Sequence, residues 1–227
     1  NSYILRIGAG NYQAEKFNSK NLTGLWRFNL YGSLNSMYPI WIANVGQYSL
    51  DDRYRYSPVP ITPGLIFNTN LTSSNAIYGD GTRQHTLSLS GGPLLTLGTF
   101  SRRYFDFTQL AISGGATVKS GNSPFSFDRA VDLSNIGIGI KQQLVGPLLL
   151  SAGASLNIDA GSPYYGQLIN SNVALSWQRR AYNFGIYYNS YSGVGGFRFS
   201  LNDFDFNGRG KPFKNIRNDV IAEKAFL

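Results

Sequence analysis

LLLSAGASLNID, residues 148–159, decides the fold. Leu148, Leu150, Ala152, Ala154, Leu156 and Ile158 alternate there with Leu149, Ser151, Gly153, Ser155, Asn157 and Asp159. An extended chain sends successive side chains to opposite faces, so this alternation gives a strand with one apolar side and one of mainly small or polar groups. The polar side is too small and too uncharged for an ordinary solvated sheet surface. Similar segments of about ten residues recur along the chain, as in a transmembrane β-barrel.

Composition agrees. The 227 residues are 15% aromatic and only 14% charged, with 26 glycines and no cysteine, whereas a soluble domain carries charge on about a quarter of its residues. No apolar run approaches the roughly 18 residues of a membrane helix, and 144–150 is interrupted by Gly146 and Pro147. The absence of cysteine removes disulfides, thiolate metal sites and cysteine nucleophiles together. A net charge of +8 raises the question of nucleic acid. The basic residues, however, are dispersed through alternating strands, apart from Arg53/Arg55, Arg102/Arg103, Arg179/Arg180 and a tail holding Arg209, Lys211, Lys214 and Arg217. No nucleic-acid partner is expected, and paired arginines in turns suit lipid phosphates or simple solvation better.

Read outward from 148–159, the chain is all-β: an antiparallel transmembrane β-barrel, or the C-terminal part of a larger one, with about ten to twelve strands in 1–206 and no defensible helix. A basic tail, 207–227, follows. Strands are expected at 3–12, 22–35, 39–48, 65–72, 84–99, 105–119, 135–144, 148–159, 168–178, 182–189 and 196–206. A break is expected at Gly91, Gly92 and Pro93. In 51–63 the alternation fails and Pro58, Pro60 and Pro63 each delete a ladder donor, so this is a connection and the candidate internal boundary. Connections at 145–147, 179–180 and 100–103 read as short and periplasmic. Those at 75–82, 120–133 and 160–167 read as longer and external. Tyr164, Tyr165, Trp177, Tyr182, Tyr187, Tyr188 and Tyr191 fall near strand ends, where aromatic girdles belong. A soluble β-sandwich shares the alternation, but its outer faces normally carry Lys, Glu and Thr where this chain has Gly, Ser, Asn and Gln.

Chemical constellations are poor. His85 and Ser88 fall on opposite strand faces, and spacing supplies no acid partner for a hydrolase triad. Asp51/Asp52 read as solvated turn residues. Asp203 and Asp205 share a face at the end of the last expected strand, where cation binding is conceivable. The glycines at 137–139 and 193–196 lack the helix that a phosphate loop requires. The sequons at Asn21 and Asn70 lie in or beside strands. No catalytic residue, metal site or cofactor is expected, and the chain is not read as an enzyme.

Parity places Ser151, Ser155, Asn157, Asn172, Ser176 and Asn183 in a wet lumen. Pro124, Phe125 and Phe127 make the 120–133 loop unusually apolar, so it is expected to fold back over the lumen, anchored by Asp128 or Arg129 through a charge-assisted hydrogen bond. Gly196, Phe199 and Leu201 fit the spacing of the C-terminal signal read by barrel-insertion machinery. They mark one side of a lateral seam.

Several motifs carry a family resemblance: YRYSPVP at 54–60, 75–81, FSR at 100–102, FDFT at 105–108, SGNSPFSFDR at 120–129, QQLVGP at 142–147, NID at 157–159 and GFRFSLNDF at 196–204. In order and spacing they resemble the C-terminal region of cyanobacterial LptD-like proteins, the organic-solvent-tolerance and lipopolysaccharide-assembly barrels of the outer membrane. The resemblance spans roughly 24–208, and the Ser-Pro-Phe-x-Phe-Asp-Arg loop is its most specific element. It implies an outer-membrane location and insertion of lipopolysaccharide, or a related amphipathic lipid, into the outer leaflet by lateral release. It also implies outer-membrane lipids and periplasmic lipid-transport bridge proteins as partners. Better-studied relatives have a larger barrel, a jellyroll domain and a plug lipoprotein, so the implied function assumes a further N-terminal portion. A passive porin or solute transporter is the alternative, and an outer-membrane lipid hydrolase a third.

Overall fold

The computed structural model describes residues 1–201 apart from Asn18, Lys20, Pro58 and Arg180. Ten antiparallel strands lie side by side in chain order. They are β1 (Ser2–Glu15), β2 (Leu22–Ile42), β3 (Gly64–Tyr78), β4 (Arg83–Gly98), β5 (Phe107–Gly121), β6 (Ser134–Val145), β7 (Leu148–Asn157), β8 (Leu168–Gln178), β9 (Tyr182–Asn189) and β10 (Val194–Leu201). Among the described residues β1 and β10 each keep one unpaired edge, and the sheet is not closed.

The register gives side-chain parity one meaning across the sheet. Leu150 stands opposite Gln142 and Leu175, Ile138 opposite Ile112 and Ala154, and Leu89 opposite Leu71 and Ala116. One face therefore gathers Leu5, Ile7, Phe28, Leu34, Leu89, Ile112, Ile138, Val173, Ile186 and Phe197, all of them exposed. The other gathers Asn, Ser, Thr and Gln, with Ser33 opposite Thr72 and Ser113 opposite Gly137. The alternation at 148–157 is thus that of the whole sheet.

The prolines and glycines interrupt less than expected. Stretches 22–35 and 39–48 are not two strands; β2 runs unbroken to Ile42. Pro39 is accommodated because the β2–β3 register shifts between Pro39 and Trp41, and β1 pairs no further along β2 than Asn35. A bulge beside an unpaired edge is where a missing donor costs least. Likewise β4 continues through Gly91, Gly92 and Pro93. Its ladder to β3 is unbroken there, while the ladder to β5 passes from Gly91–Gly114 to Leu94–Ala111. A Cβ on Gly92 would stand 2.0 Å from the Ile112 carbonyl oxygen, and one on Gly91 2.3 Å from that of Asn68. Glycine is what lets these backbones approach.

Three further expectations need correcting. Residues 75–78 belong to β3, so the β3–β4 connection is a tight turn at 79–82. The 43–63 connection lies at the same end of the sheet as the short turn at 146–147 and the β8–β9 connection, against the simple rule of short turns at one end. It also contains a one-turn helix, α1 (Leu50–Arg53), where none was expected. The Ser49 hydroxyl accepts from the Asp52 N–H at 3.1 Å, and the Asp52 carboxylate accepts from the Ser49 N–H at 3.3 Å. These reciprocal bonds cap the turn. The remainder of the expected strand 196–206 beyond Leu201, with Asp203, Asp205 and the basic tail, lies outside the described residues.

Candidate functional site

Ser151, Ser155, Asn157, Asn172, Ser176 and Asn183 all lie on the polar face. Asn172 stands opposite Gly153, Ser176 opposite Leu149 and Asn183 opposite Gln178. Cross-strand hydrogen bonds run over this face: Asn70 Nδ2 to Asn35 Oδ1 at 2.5 Å, Ser74 Oγ to Asn29 Oδ1 at 3.1 Å, and Ser88 Oγ with Thr117 Oγ1 at 2.8 Å. Such side-chain ladders satisfy polar groups across the strands without using the main chain. Both ends of the face are covered by chain.

The first cover is 43–63. Tyr56 is buried, its ring stacked on Phe107 with centroids 5.5 Å apart and tilted against Phe100 at 6.0 Å. Leu149 completes this cluster, with Tyr48 and Ile61 packed against it. Phe100 holds its place at φ 56°, a left-handed backbone that a bulky side chain adopts only when packing compensates. The Tyr56 hydroxyl donates to Asp106 at 3.0 Å, and Asp106 also accepts from the Thr99 hydroxyl at 2.6 Å. Gln143 Oε1 accepts from the Asp106 N–H at 2.7 Å, and Gln143 Nε2 donates to the Arg103 main-chain carbonyl at 2.8 Å. Burial, and then the charge and hydrogen bond of Asp106, push the Tyr56 hydroxyl up to about 12.

The second cover is 122–133. Phe125 is buried against Ala76, Tyr78, Ala14 and Leu25. Phe127, expected to share that cover, is 61% exposed and only stacks on Phe125. Asp128 accepts from Arg27 at 2.8 Å and from the Tyr78 hydroxyl. Gln84 works as a clip. Its Nε2 donates to the Asp128 carbonyl at 2.7 Å, and its Oε1 accepts from the N–H groups of Ser123 and Ala130 at 3.0 and 3.1 Å. The Arg129 guanidinium lies 3.7 Å from the Phe17 ring centroid, and the Pro124 carbonyl accepts from the Phe17 N–H at 2.7 Å. Pro124 therefore joins the cover to the β1–β2 turn.

Asn157 is buried rather than lining open space. It donates to Asp132 at 2.7 Å and to Ser162 at 3.1 Å, binding the second cover to the β7–β8 loop. Asp159 adds a tie at 2.9 Å from the Leu133 N–H. The N–H groups of Leu133 and Gly161 hold its carboxyl below the usual carboxylate range.

The three seam residues do not share a face. Gly196 stands opposite Tyr187 on the polar face, whereas Phe199 and Leu201 stand opposite Phe184 and Tyr182 on the apolar one. Three residues is an odd separation, which reverses parity. His85 sits on the apolar face with Nδ1 2.7 Å from Asn75 Oδ1, remote in parity from Ser88. Asp52 is bound to Ser49 and Arg55. Among the described residues no group of three or more His, Asp or Glu could hold a metal.

Sequence reading missed the first cover, with Tyr56, Asp106 and Gln143. Its signal was present: Phe107 and Leu149 are apolar residues at polar parity, and such a residue needs something to bury it.

A family model described as Protein of unknown function (DUF3769) matches residues 1–205. No curated protein and no solved structure matches the chain.

Proposed function

We propose, for a chain that belongs to the DUF3769 family, that it forms part of an outer-membrane β-barrel which places lipopolysaccharide or a related amphipathic lipid in the outer leaflet by lateral release. The observation that carries this reading is the exposed apolar face. It extends over all ten strands, and in water so large an apolar surface would drive association, whereas in a bilayer it needs no further cover. The opposite face suits the sugars of such a lipid while its acyl chains leave sideways, so neither half enters the wrong solvent. The chain's own role is to bind and guide, without covalent chemistry. Resemblance to LptD-like barrels supports the choice of cargo. A passive porin or solute transporter has the polar face in its favour, but the covers at both ends of that face favour the lipid reading.

The unpaired edge of β10 supplies the seam in this proposal, because an open edge in lipid would cost several kcal/mol for each unsatisfied backbone group. Cysteines at Phe199 or Leu201, cross-linked to the first strand of the complete barrel, are expected to stop lipid export while the barrel stays folded. Normal export through a locked seam would remove the lateral-release role.

A further inference from the structure

Four arginines, Arg55, Arg102, Arg103 and Arg179, line one open depression of about 480 Å³ at the end of the sheet that carries the first cover. Arg55 comes from the first cover, Arg102 and Arg103 from the β4–β5 connection, and Arg179 from the β8–β9 turn. Among the described residues no carboxylate lines the depression. Arg55 is already paired with Asp52 at 3.0 Å, and Asp106 is buried, where it accepts from Tyr56 and Thr99.

The backbones that carry these arginines are pinned. The Arg103 carbonyl accepts from the Gly146 N–H and from Gln143 Nε2, both at 2.8 Å. The Arg179 N–H donates to the Tyr182 carbonyl at 2.9 Å, and the Gln178 N–H to that of Pro147 at 2.8 Å. A fixed backbone leaves only the side chains to be ordered when a ligand arrives, which lowers the cost of binding. Phosphate fits better than carboxylate, because its non-bridging oxygens can serve several guanidinium forks at once.

A second, apolar depression of about 280 Å³ adjoins it, lined by Leu148, Leu175, Trp177, Phe184, Gly185 and Ile186. Two contacts join the pair: Pro147 of the first precedes Leu148 of the second, and the Arg179 guanidinium lies 5.6 Å from the Trp177 ring centroid. We infer that this rim is a binding site for a phosphorylated amphipathic lipid, with its phosphate among Arg55, Arg102, Arg103 and Arg179 and one acyl chain along Leu148, Trp177 and Phe184. The inference rests on the apolar face being lipid-facing, not on export.

The test is native mass spectrometry of the full-length protein in maltoside micelles, offered phosphatidylglycerol, diacylglycerol or inorganic phosphate. Phosphatidylglycerol should be retained over diacylglycerol. The R102Q/R103Q variant should lose about fivefold of that binding, as expected for ion pairs at an exposed rim. R102K/R103K should keep part of it and become more salt-sensitive. Trp177→Ala should weaken phosphatidylglycerol but not inorganic phosphate. Unchanged lipid binding by R102Q/R103Q, with folding verified by heat-dependent gel mobility, would overturn the site. Phosphate bound as tightly as phosphatidylglycerol, with no effect of Trp177→Ala, would make it a free-anion site and overturn the lipid assignment. Protein that stays in the aqueous phase when offered bilayers would instead refute the membrane reading, and an export defect without any binding change would leave that reading standing while the site fails.

Discussion

Asp128 is the residue through which the second cover is held, since it meets a cation and a hydroxyl that belong to two different strands. Arg27 and Asp128 are each only 16% exposed, so little water replaces the partner if one is removed. Asp128→Asn should destabilise the fold by about 1.5–3 kcal/mol, the range for a hydrogen bond to a charged group. A urea titration in lipid would measure it, and faster tryptic cleavage after Arg129 would show that the cover has lifted. The loop's apolar residues and its charged anchors were legible in the sequence. Gln84 was not, because a lone glutamine at polar parity looks like any other residue of that face. Only the tertiary arrangement shows it clipping three backbone groups.

At the scale of elements, periodicity located the C-terminal strands closely, and 168–178 and 182–189 coincide with β8 and β9. It misread prolines and glycines as ends. The physical reason is that a proline costs a ladder bond on only one side, and the sheet can arrange for that side to be a bulge or a gap. Gly92 states the same point sterically. Gly92→Ala would force β4 and β5 apart, because the new methyl would meet backbone rather than a movable side chain. We expect a loss of about 1–3 kcal/mol, as for other overpacked sites, with Gly8→Ala, where the structure has open space, as the neutral control. Equal midpoints for the two variants would contradict the close approach seen at Gly92.

For the whole molecule, the two faces make opposite demands on substitution. On the proposed membrane reading, Lys at Leu150, Ala154 or Leu175 should cost about 2–4 kcal/mol near a bilayer midplane, whereas polar changes at Ser151, Ser155 or Asn172 should be tolerated. Refolding titrations into lipid would separate the two sets, and equal tolerance would refute a lipid-facing sheet. The first cover adds a requirement of a different kind. Every strand pairs only with its neighbours in sequence, so the meander can grow hairpin by hairpin with short loop closures. Tyr56, by contrast, needs Phe107 of β5 and Leu149 of β7 for its seat. Until β7 has been added, Tyr48, Tyr56 and Ile61 lack that seat and offer sticky surface to chaperones or to neighbouring chains. The seating of 43–63 therefore depends on completion of the sheet through β7, because a chain that stops before β7 has no Leu149 to close the cluster around Tyr56.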